Sequence, residues 1–228
     1  MGFFLWLSDL HVDPYYGRDH AVGHRNGDTC TLNETLTEHP RGRIGCDAPV
    51  SLLESSLESA KRGVRIDFVL VTGDFVRHGM ESLASVLGAD GDDDDPIDLA
   101  ESIMAACIGS IGSVLPGVPI IPVLGNNDVV PDYYLETNDE HGSDNEYSYD
   151  GNATAGGTNK MLAMARNGLA DSFLSEEEGR TFAHGGYFSR TIDISGSSSI
   201  LVLSLNTVIY SVKHQPDYEA SIGGGDDD

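Results

Sequence analysis

Apolar and polar positions alternate along the first half of the chain in blocks that predict strands and helices. Short apolar runs at 3–12, 66–74 and 118–128 have the length of strands, and each ends in polar residues. Between them, residues 48–63 and 97–115 repeat apolar positions at helical spacing. The order strand, helix, strand, helix, strand predicts an α/β fold with a parallel sheet and helices on its faces.

The second half begins with a polar loop rich in Asn, Asp and Gly at 136–159. The pattern after this loop predicts a helix over 159–175. Two apolar stretches, 185–193 and 198–210, are separated by the turn Ser-Gly-Ser-Ser and predict an antiparallel pair of strands. Neither a repeat nor a linker divides the chain, so we expect one domain or part of one.

Polar side chains stand at the ends of all three strands predicted for the first half. Asp9 and His11 end the first, Asp74 the second, and Asn126 the third. Parallel strands bring their carboxyl ends to one edge, where open α/β folds bind ligands. Carboxylate, imidazole and amide oxygen together suit a pair of divalent ions such as Zn, Mn, Fe or Co. Each motif alone is also typical of an ordinary strand-end cap or turn.

Within this interpretation each of the four side chains can be assigned as a ligand to one or both of the two ions. Asp9 and His11 are two residues apart and project to the same side of an extended chain, so they can bind one ion. Asp74 is placed to bridge both ions, and Asn126 to bind the second through its amide oxygen. We expect Asp128, two residues further on, to hold neighbouring groups in place.

Charge narrows the classes of partner. The net charge of the 228 residues is −24 with only 13 Lys and Arg, which argues against a protein that reads nucleic acid. Acidic low-complexity segments lie at about 89–96 and at 223–228. Neither has EF-hand spacing, so both are interpreted as solvated rather than as calcium sites. Since no apolar run approaches about 18 residues, no transmembrane segment is predicted.

Cysteines and sequons indicate the compartment. A disulfide between Cys30 and Cys46 would close a loop of about 15 residues, whereas Cys107 lies in an apolar helix face and is expected to be buried. Glycosylation sequons occur at Asn33 and Asn152. Together they predict the secretory pathway, with a vacuolar or lysosomal lumen or the extracellular space as destination. The first residues are interpreted as a strand rather than a signal peptide, so we expect no signal or anchor segment in this chain.

These motifs resemble those of the calcineurin-like metallophosphoesterases, whose signature runs D-x-H, G-D and G-N-H-[DE]. Stretches such as SDLHVDPYY, CDAPVSLLESSL and GNNDVVPDYY are most similar to the branch of endopolyphosphatases and acid sphingomyelinase-like phosphodiesterases. The resemblance implies a β-sandwich flanked by helices in α-β-β-α layers. Residues 1–228 would form the first part of that domain, truncated at the C-terminus, because the later histidine motifs G-H and G-H-x-H do not occur.

The resemblance also implies metal-assisted hydrolysis of a phosphoric ester or anhydride. Most family members carry a histidine where Asn127 stands, and an amide cannot donate a proton as a general acid does. A phosphate chain leaves with less need of a proton than an alcohol does. Asn127 and the branch resemblance therefore favour inorganic polyphosphate as substrate. A lipid or nucleotide phosphodiester and an inactive fragment without the C-terminal histidines remain as alternatives.

Two further residues are candidates for contact with the substrate. His78 lies four positions after Asp74 and could face the phosphate, and Arg77 beside it could supply a cation. Either could instead make a structural hydrogen bond in a loop. The oligomeric state is not predicted.

Overall fold

The structure is a computed structural model that describes residues 2–18, 38–87, 95–130, 132–133, 135, 162, 165–167, 174–194 and 198–211. Its strands are β1 (Phe4–Leu7), β2 (Val12–Asp13), β3 (Ala48–Pro49), β4 (Phe68–Val71), β5 (Ile120–Pro122), β6 (Phe188–Ile194) and β7 (Ser198–Ser204). Its helices are α1 (Val50–Ala60), α2 (Met80–Leu87), α3 (Pro96–Val114) and α4 (Glu176–Gly185), with 3₁₀ turns at Asn126–Asp128 and Val208–Tyr210.

The central sheet is parallel and has the order β1-β4-β5, which confirms the predicted α/β arrangement. Phe4 pairs with Phe68, and Val69 with Ile120. Strand β4 lies in the middle, and the run Phe-Val-Leu-Val is apolar throughout because a central parallel strand is covered on both faces. All three strands therefore end at the same edge.

A second, two-stranded parallel sheet joins β2 to β3, with Val12 opposite Ala48. The amide of Ala48 also donates to the carbonyl of His11 at 3.0 Å. Two-residue strands are too short to show any periodicity, so the sequence did not predict this pair. It ties the segment after β1 to the segment before α1, next to a candidate ligand.

Helices α1, α2 and α3 join the sheet in one hydrophobic core. Helix α1 buries Leu53 and Leu57, and α3 is capped by Asp95, whose side chain accepts from the amide of Ile97. By length and composition α3 could cross a membrane, the one such helix in the described part of the chain. Core helices pass the same test, and α3 contributes seven buried side chains here: Leu99, Ala100, Ile103, Met104, Cys107, Ile108 and Ile111.

The antiparallel pair β6–β7 confirms the predicted hairpin, with Phe188 opposite Ser204 at one end and Ile194 opposite Ser198 at the other. The predicted helix at 159–175 lies largely outside the described residues. Within this range residues 162 and 165–167 are helical, whereas 174 and 175 are not, so the predicted end of the helix is wrong. Helix α4 was not predicted.

Helix α4 nevertheless carries recognisable start and stop signals. Ser175 and Glu178 form a capping box at its start, and Gly186 ends it with φ 72°. The motif Ser-x-x-Glu followed by Gly eight residues later was therefore the signal available in the sequence.

Candidate metal centre

Three candidate ligands converge at the carboxyl edge of the central sheet. Asp9 and His11 follow β1, and Asp74 follows β4. One ligand atom from each lies within 4.8 Å of the other two. Among the described residues this is the single group of three or more such side chains that is close enough to hold an ion. The edge predicted from the sequence thus carries a candidate Asp/His/Asp metal site.

The backbone at these three residues is held in the left-handed region. The φ angle is 53° at Asp9, 40° at His11 and 54° at Asp74. Such angles cost on the order of 1–3 kcal/mol each in residues other than glycine. Hydrogen bonds between the loops maintain them, since the amide of His11 donates to the Asp74 carbonyl at 2.8 Å and that of Val12 to Phe75 at 2.9 Å. Strain at three converging donor residues indicates loops shaped for a ligand.

Two glycines let the loops after β4 and β5 touch backbone to backbone. Gly73 has φ 91°, and a Cβ on it would lie 2.3 Å from the amide nitrogen of Gly125. A Cβ on Gly125 would lie 2.2 Å from Oδ1 of Asp74. Larger residues at either position would separate the loops that bring the ligands together.

The carboxylate of Asp128 joins those two loops through hydrogen bonds. It is fully buried and accepts four backbone N–H bonds, from Asp74, Phe75 and Val76 at 2.7 to 3.1 Å and from Gly125 at 2.8 Å. Burial raises the pKa of Asp128 to about 7, while the N–H donors favour its charged form. The predicted role of Asp128 in holding neighbouring groups is confirmed by these bonds.

The imidazole of His11 is oriented for binding through one nitrogen. Its Nδ1 lies 3.1 Å from the carbonyl oxygen of Val76, and because a carbonyl only accepts, the proton resides on Nδ1. Nε2 is then the lone-pair nitrogen, 3.8 Å from Oδ2 of Asp74. Metal-binding histidines usually donate their other N–H in this way. Carboxylate, imidazole and this supporting bond fit a divalent ion.

Asn126 and Asn127 lie beside the three ligands. The backbone amide of Asn127 donates to Oδ1 of Asp74 at 3.0 Å. Nδ2 of Asn126 donates to Oδ1 of Asn127 at 2.6 Å, and Nδ2 of Asn127 donates to Oδ2 of Asp132 at 3.2 Å. Asn127 is only 4% exposed, so its side chain is committed to these neighbours.

His78 is the second imidazole at this edge. Its ring stacks on His11 with 4.0 Å between centroids and 24° between planes. Its Nδ1 is 2.8 Å from Oδ1 of Asp47, whose Oδ2 accepts from the His78 backbone amide at 3.0 Å. The side chain is 26% exposed, which leaves His78 accessible next to the candidate ligands.

Arg77, the residue before His78, is buried. Its side chain is 1% exposed, with Nη1 3.3 Å from Oδ2 of Asp13, and Nε donates to the carbonyl of His78 at 3.0 Å. Burial raises the pKa of Asp13, and the Arg77 guanidinium opposes that rise. This placement favours the structural alternative for Arg77 over contact with a phosphate.

The cysteines and sequons are only partly described. Cys46 is disulfide-bonded. Cys107 is a free thiol, and it is buried as predicted; this burial raises its pKa. Cys30, Asn33 and Asn152 lie outside the described residues. The Cys30–Cys46 pairing and both glycosylation sites stay predictions.

Sequence reasoning missed three acidic residues that support the site, namely Asp13, Asp47 and Asp132. Each is a single carboxylate in a loop or short strand, without a partner at any recognisable spacing. The bond from Asp47 to His78 crosses 31 positions. The available signal was weak: Asp47 adjoins Cys46, and Asp132 follows the third strand-end motif by four residues.

Comparison with known proteins identifies the family of this chain. The family model for calcineurin-like phosphoesterases matches residues 4–227. An endopolyphosphatase of Schizosaccharomyces pombe is 26% identical over 243 residues, which cover 100% of this chain and 35% of that protein.

Two phosphodiesterases are also similar. A sphingomyelinase phosphodiesterase D of Dictyostelium discoideum is 29% identical over 76% of this chain and 31% of its own length. The cyclic GMP-AMP phosphodiesterase SMPDL3A of Bos taurus is 25% identical over 92% of this chain and 39% of its own length. This chain thus spans roughly a third of each relative's length. On the match to the family model, the chain belongs to the calcineurin-like phosphoesterase family.

Proposed function

We propose that this chain provides part of the metal centre of a hydrolase that cleaves phosphoric anhydride bonds, with inorganic polyphosphate as its substrate. The observation that supports this most is the convergence of Asp9, His11 and Asp74 on strained loops at one sheet edge. Membership of the phosphoesterase family supports the reaction class. The endopolyphosphatase relative supports the substrate class.

Each residue of the site is proposed to have its own role in metal binding, loop structure or substrate contact. Asp9, His11, Asp74 and Asn126 would hold two divalent ions. Bound divalent ions supply Lewis-acid polarisation of the phosphoryl oxygens and lower the pKa of water. Asp128 and the two glycines keep the ligand loops in register. His78 is proposed to contact a phosphoryl oxygen through Nε2, since Asp47 occupies its Nδ1.

The leaving group is the basis for choosing an anhydride. The alcohol of a phosphodiester leaves as an alkoxide, whose conjugate acid resembles water with a pKa of about 15.7. A phosphate chain leaves as the anion of a far stronger acid, with a pKa of about 6. Asn127 donates no proton of this kind, and its amide is engaged with Asp132. A site with an amide at position 127 is therefore better suited to cleaving an anhydride, whose leaving group has less need of a proton.

Two alternatives have support of their own. The phosphodiesterase relatives and the accessible His78, which could serve in place of the missing histidine, favour a lipid or nucleotide phosphodiester. The second alternative is a chain without activity. Its support is that the described residues contain a single three-residue ligand group, where a centre of two ions needs more ligands.

Charge and compartment bear on substrate binding. The net charge of −24 repels a polyanion, so free divalent cations or an acidic medium would favour binding. The disulfide at Cys46 supports the proposed secretory location, because disulfides persist in oxidising compartments.

The test incubates the chain with long-chain polyphosphate and Mn²⁺, Co²⁺ or Zn²⁺ and follows chain length on a gel. Shortening that is lost in Asp74→Asn supports the proposal. Cleavage of a sphingomyelin analogue or a cyclic dinucleotide without polyphosphate shortening would replace it with the first alternative. Fewer than two ions bound per molecule, with no cleavage, would favour the inactive chain.

A further inference from the structure

We infer that Asp132 is a positioning residue that orients the amide of Asn126 through Asn127, so that an oxygen and not an NH₂ group faces the cation. This inference rests on the proposed metal centre and adds the device that orients one of its ligands. It also gives Asn127 a specific task. The three side chains form one chain of hydrogen bonds, referred to below as the amide relay.

The direction of the relay is set at Asp132. An ionised carboxylate can only accept, so the group of Asn127 that faces it must be Nδ2, and the two atoms lie 3.2 Å apart. The opposite atom of the same amide, Oδ1, can then only accept. It does so from Nδ2 of Asn126 at 2.6 Å.

The consequence reaches the metal site. With Nδ2 of Asn126 used in the relay, Oδ1 is the atom left to bind a cation. Amide oxygens are ligands for hard and borderline cations, whereas an NH₂ group directs hydrogens at them. An amide without a fixed neighbour can present either side at little cost. Asp132 removes that choice across two hydrogen bonds.

The surroundings hold the relay in place. Asn127 is almost completely buried, and its backbone amide donates to the candidate ligand Asp74 at 3.0 Å. The amide of Tyr133 donates to the carbonyl of Asn126 at 3.0 Å, which closes the turn that returns Asp132 to the site. Asn126 and Asn127 are thus fixed by backbone bonds as well as by side chains.

The first test compares Asp132→Asn with the unaltered chain. Asparagine has the same shape, but it can donate, so it no longer dictates the direction of the relay. Loss of supporting partners typically weakens metal binding by about 10- to 100-fold, and we expect a loss in that range for Mn²⁺ measured by calorimetry. Circular dichroism checks that the variant is folded.

The double variant, Asn127→Asp combined with Asp132→Asn, supplies the rescue. The carboxylate introduced at position 127 would accept from Asn126 on one side and from the new amide at position 132 on the other, so the direction of the relay returns. We expect the double variant to recover most of the affinity that Asp132→Asn loses. A double variant as weak as the single one would overturn the relay.

Glu81→Gln is the matched control for charge. Glu81 is a carboxylate whose field raises the pKa of Asp132, so it lies in the same neighbourhood but outside the relay. Its removal subtracts one negative charge and leaves the three side chains bonded. If Glu81→Gln weakens Mn²⁺ binding as much as Asp132→Asn, general attraction explains the effect and the relay is wrong.

A metal-free measurement separates this inference from the proposed function. We expect the side-chain NH₂ resonances of Asn126 and Asn127 to shift in Asp132→Asn without any metal, in ¹H–¹⁵N spectra of the whole chain. Unchanged resonances overturn the relay. If the unaltered chain binds no Mn²⁺ while these resonances shift, the relay stands and the metal centre is the part that fails.

Discussion

In two regions of the molecule, polar groups have different structural roles: in one they support strained loops, and in the other they complete regular secondary structure. The site edge comprises the loops 8–13, 72–78 and 123–128. There the carboxylates of Asp74 and Asp128 accept backbone N–H bonds beside residues with left-handed φ angles. In the C-terminal unit, made of α4, β6 and β7, polar groups complete regular structure. There Ser175 and Glu178 cap the helix, and Gly186 takes the left-handed position that ends it.

The difference shows where the fold accepts strain. The positive-φ residues other than glycine among those described are Asp9, His11, Asp74 and Tyr133, and none of them is in the C-terminal unit. Regular structure alone does not require such angles. The site edge requires them because three donor side chains must point at one place, and buried hydrogen bonds offset the cost.

Removal of Asp128 should have the largest effect. Asp128→Ala leaves four N–H groups without their acceptor, those of Phe75 and Val76 in buried bonds and those of Asp74 and Gly125 in part-buried ones. Each unsatisfied buried group costs about 1–3 kcal/mol, although the costs are not additive. We expect the free energy of unfolding to fall by about 4 kcal/mol or more in urea denaturation. The control is Asp193→Ala, an exposed carboxylate of β6, for which we expect a change within about 0.5 kcal/mol. Equal losses in the two variants would contradict the role of Asp128.

A pair of glycine substitutions compares the two regions directly. Gly73→Ala puts a Cβ 2.3 Å from backbone nitrogen, whereas Gly186→Ala meets the Asn206 side chain at 2.9 Å. Both have positive φ, which alone costs about 1–2 kcal/mol in alanine. Only Gly73→Ala must also move a backbone. We expect the larger loss of stability, and loss of Mn²⁺ binding, in Gly73→Ala. Intact Mn²⁺ binding in that variant would show that the contact between the loops is dispensable.

The ion pair of the C-terminal unit should give a smaller, pH-dependent effect. Hydrogen bonds from Arg190 lower the pKa of Glu178 from 4.5 to about 2. Because the folded pKa is below the unfolded one, the contribution is complete above pH 4.5 and is lost as pH falls toward about 2. Solvent screening limits its size to about 1 kcal/mol.

Glu178→Gln measures this contribution. Thermal or urea unfolding should show a difference from the unaltered chain near neutral pH that disappears at the acid end. A difference of the same size at all pH values would mean that packing, and not charge, joins α4 to β6. Arg190 also donates to the carbonyl of Ile120 at 3.0 Å, so the glutamate is the cleaner partner to change.

The sequence predicted what depends on local pattern. The parallel sheet followed from apolar runs, and the convergence of Asp9, His11 and Asp74 followed from the rule that parallel strands end at one edge. Both inferences need only the order of elements. The position of Asp128 could be anticipated because it lies in the same turn as Asn126.

What the sequence did not predict depends on contacts between distant segments. Asp47 binds His78 across 31 positions, and Asp128 binds the Asp74 amide across 54. No periodicity records such pairs. The burial of Arg77 is of the same kind, since the neighbouring residues His78 and Arg77 have opposite exposures in one loop. Only the fold shows which of the two is exposed beside the candidate ligands.

The smallest effect is expected on the outer face of the hairpin. Leu201 and Leu203 of β7 are 65% and 60% exposed, and Leu201 stands opposite Thr191. Leu201→Thr should change the free energy of unfolding by less than about 0.5 kcal/mol, because little apolar area leaves water in the folded state. Ile192→Thr, on the covered face of the same hairpin, is the comparison and should cost more, since its side chain is buried. If Leu201→Thr costs as much as Ile192→Thr, the outer face of the hairpin is covered in solution.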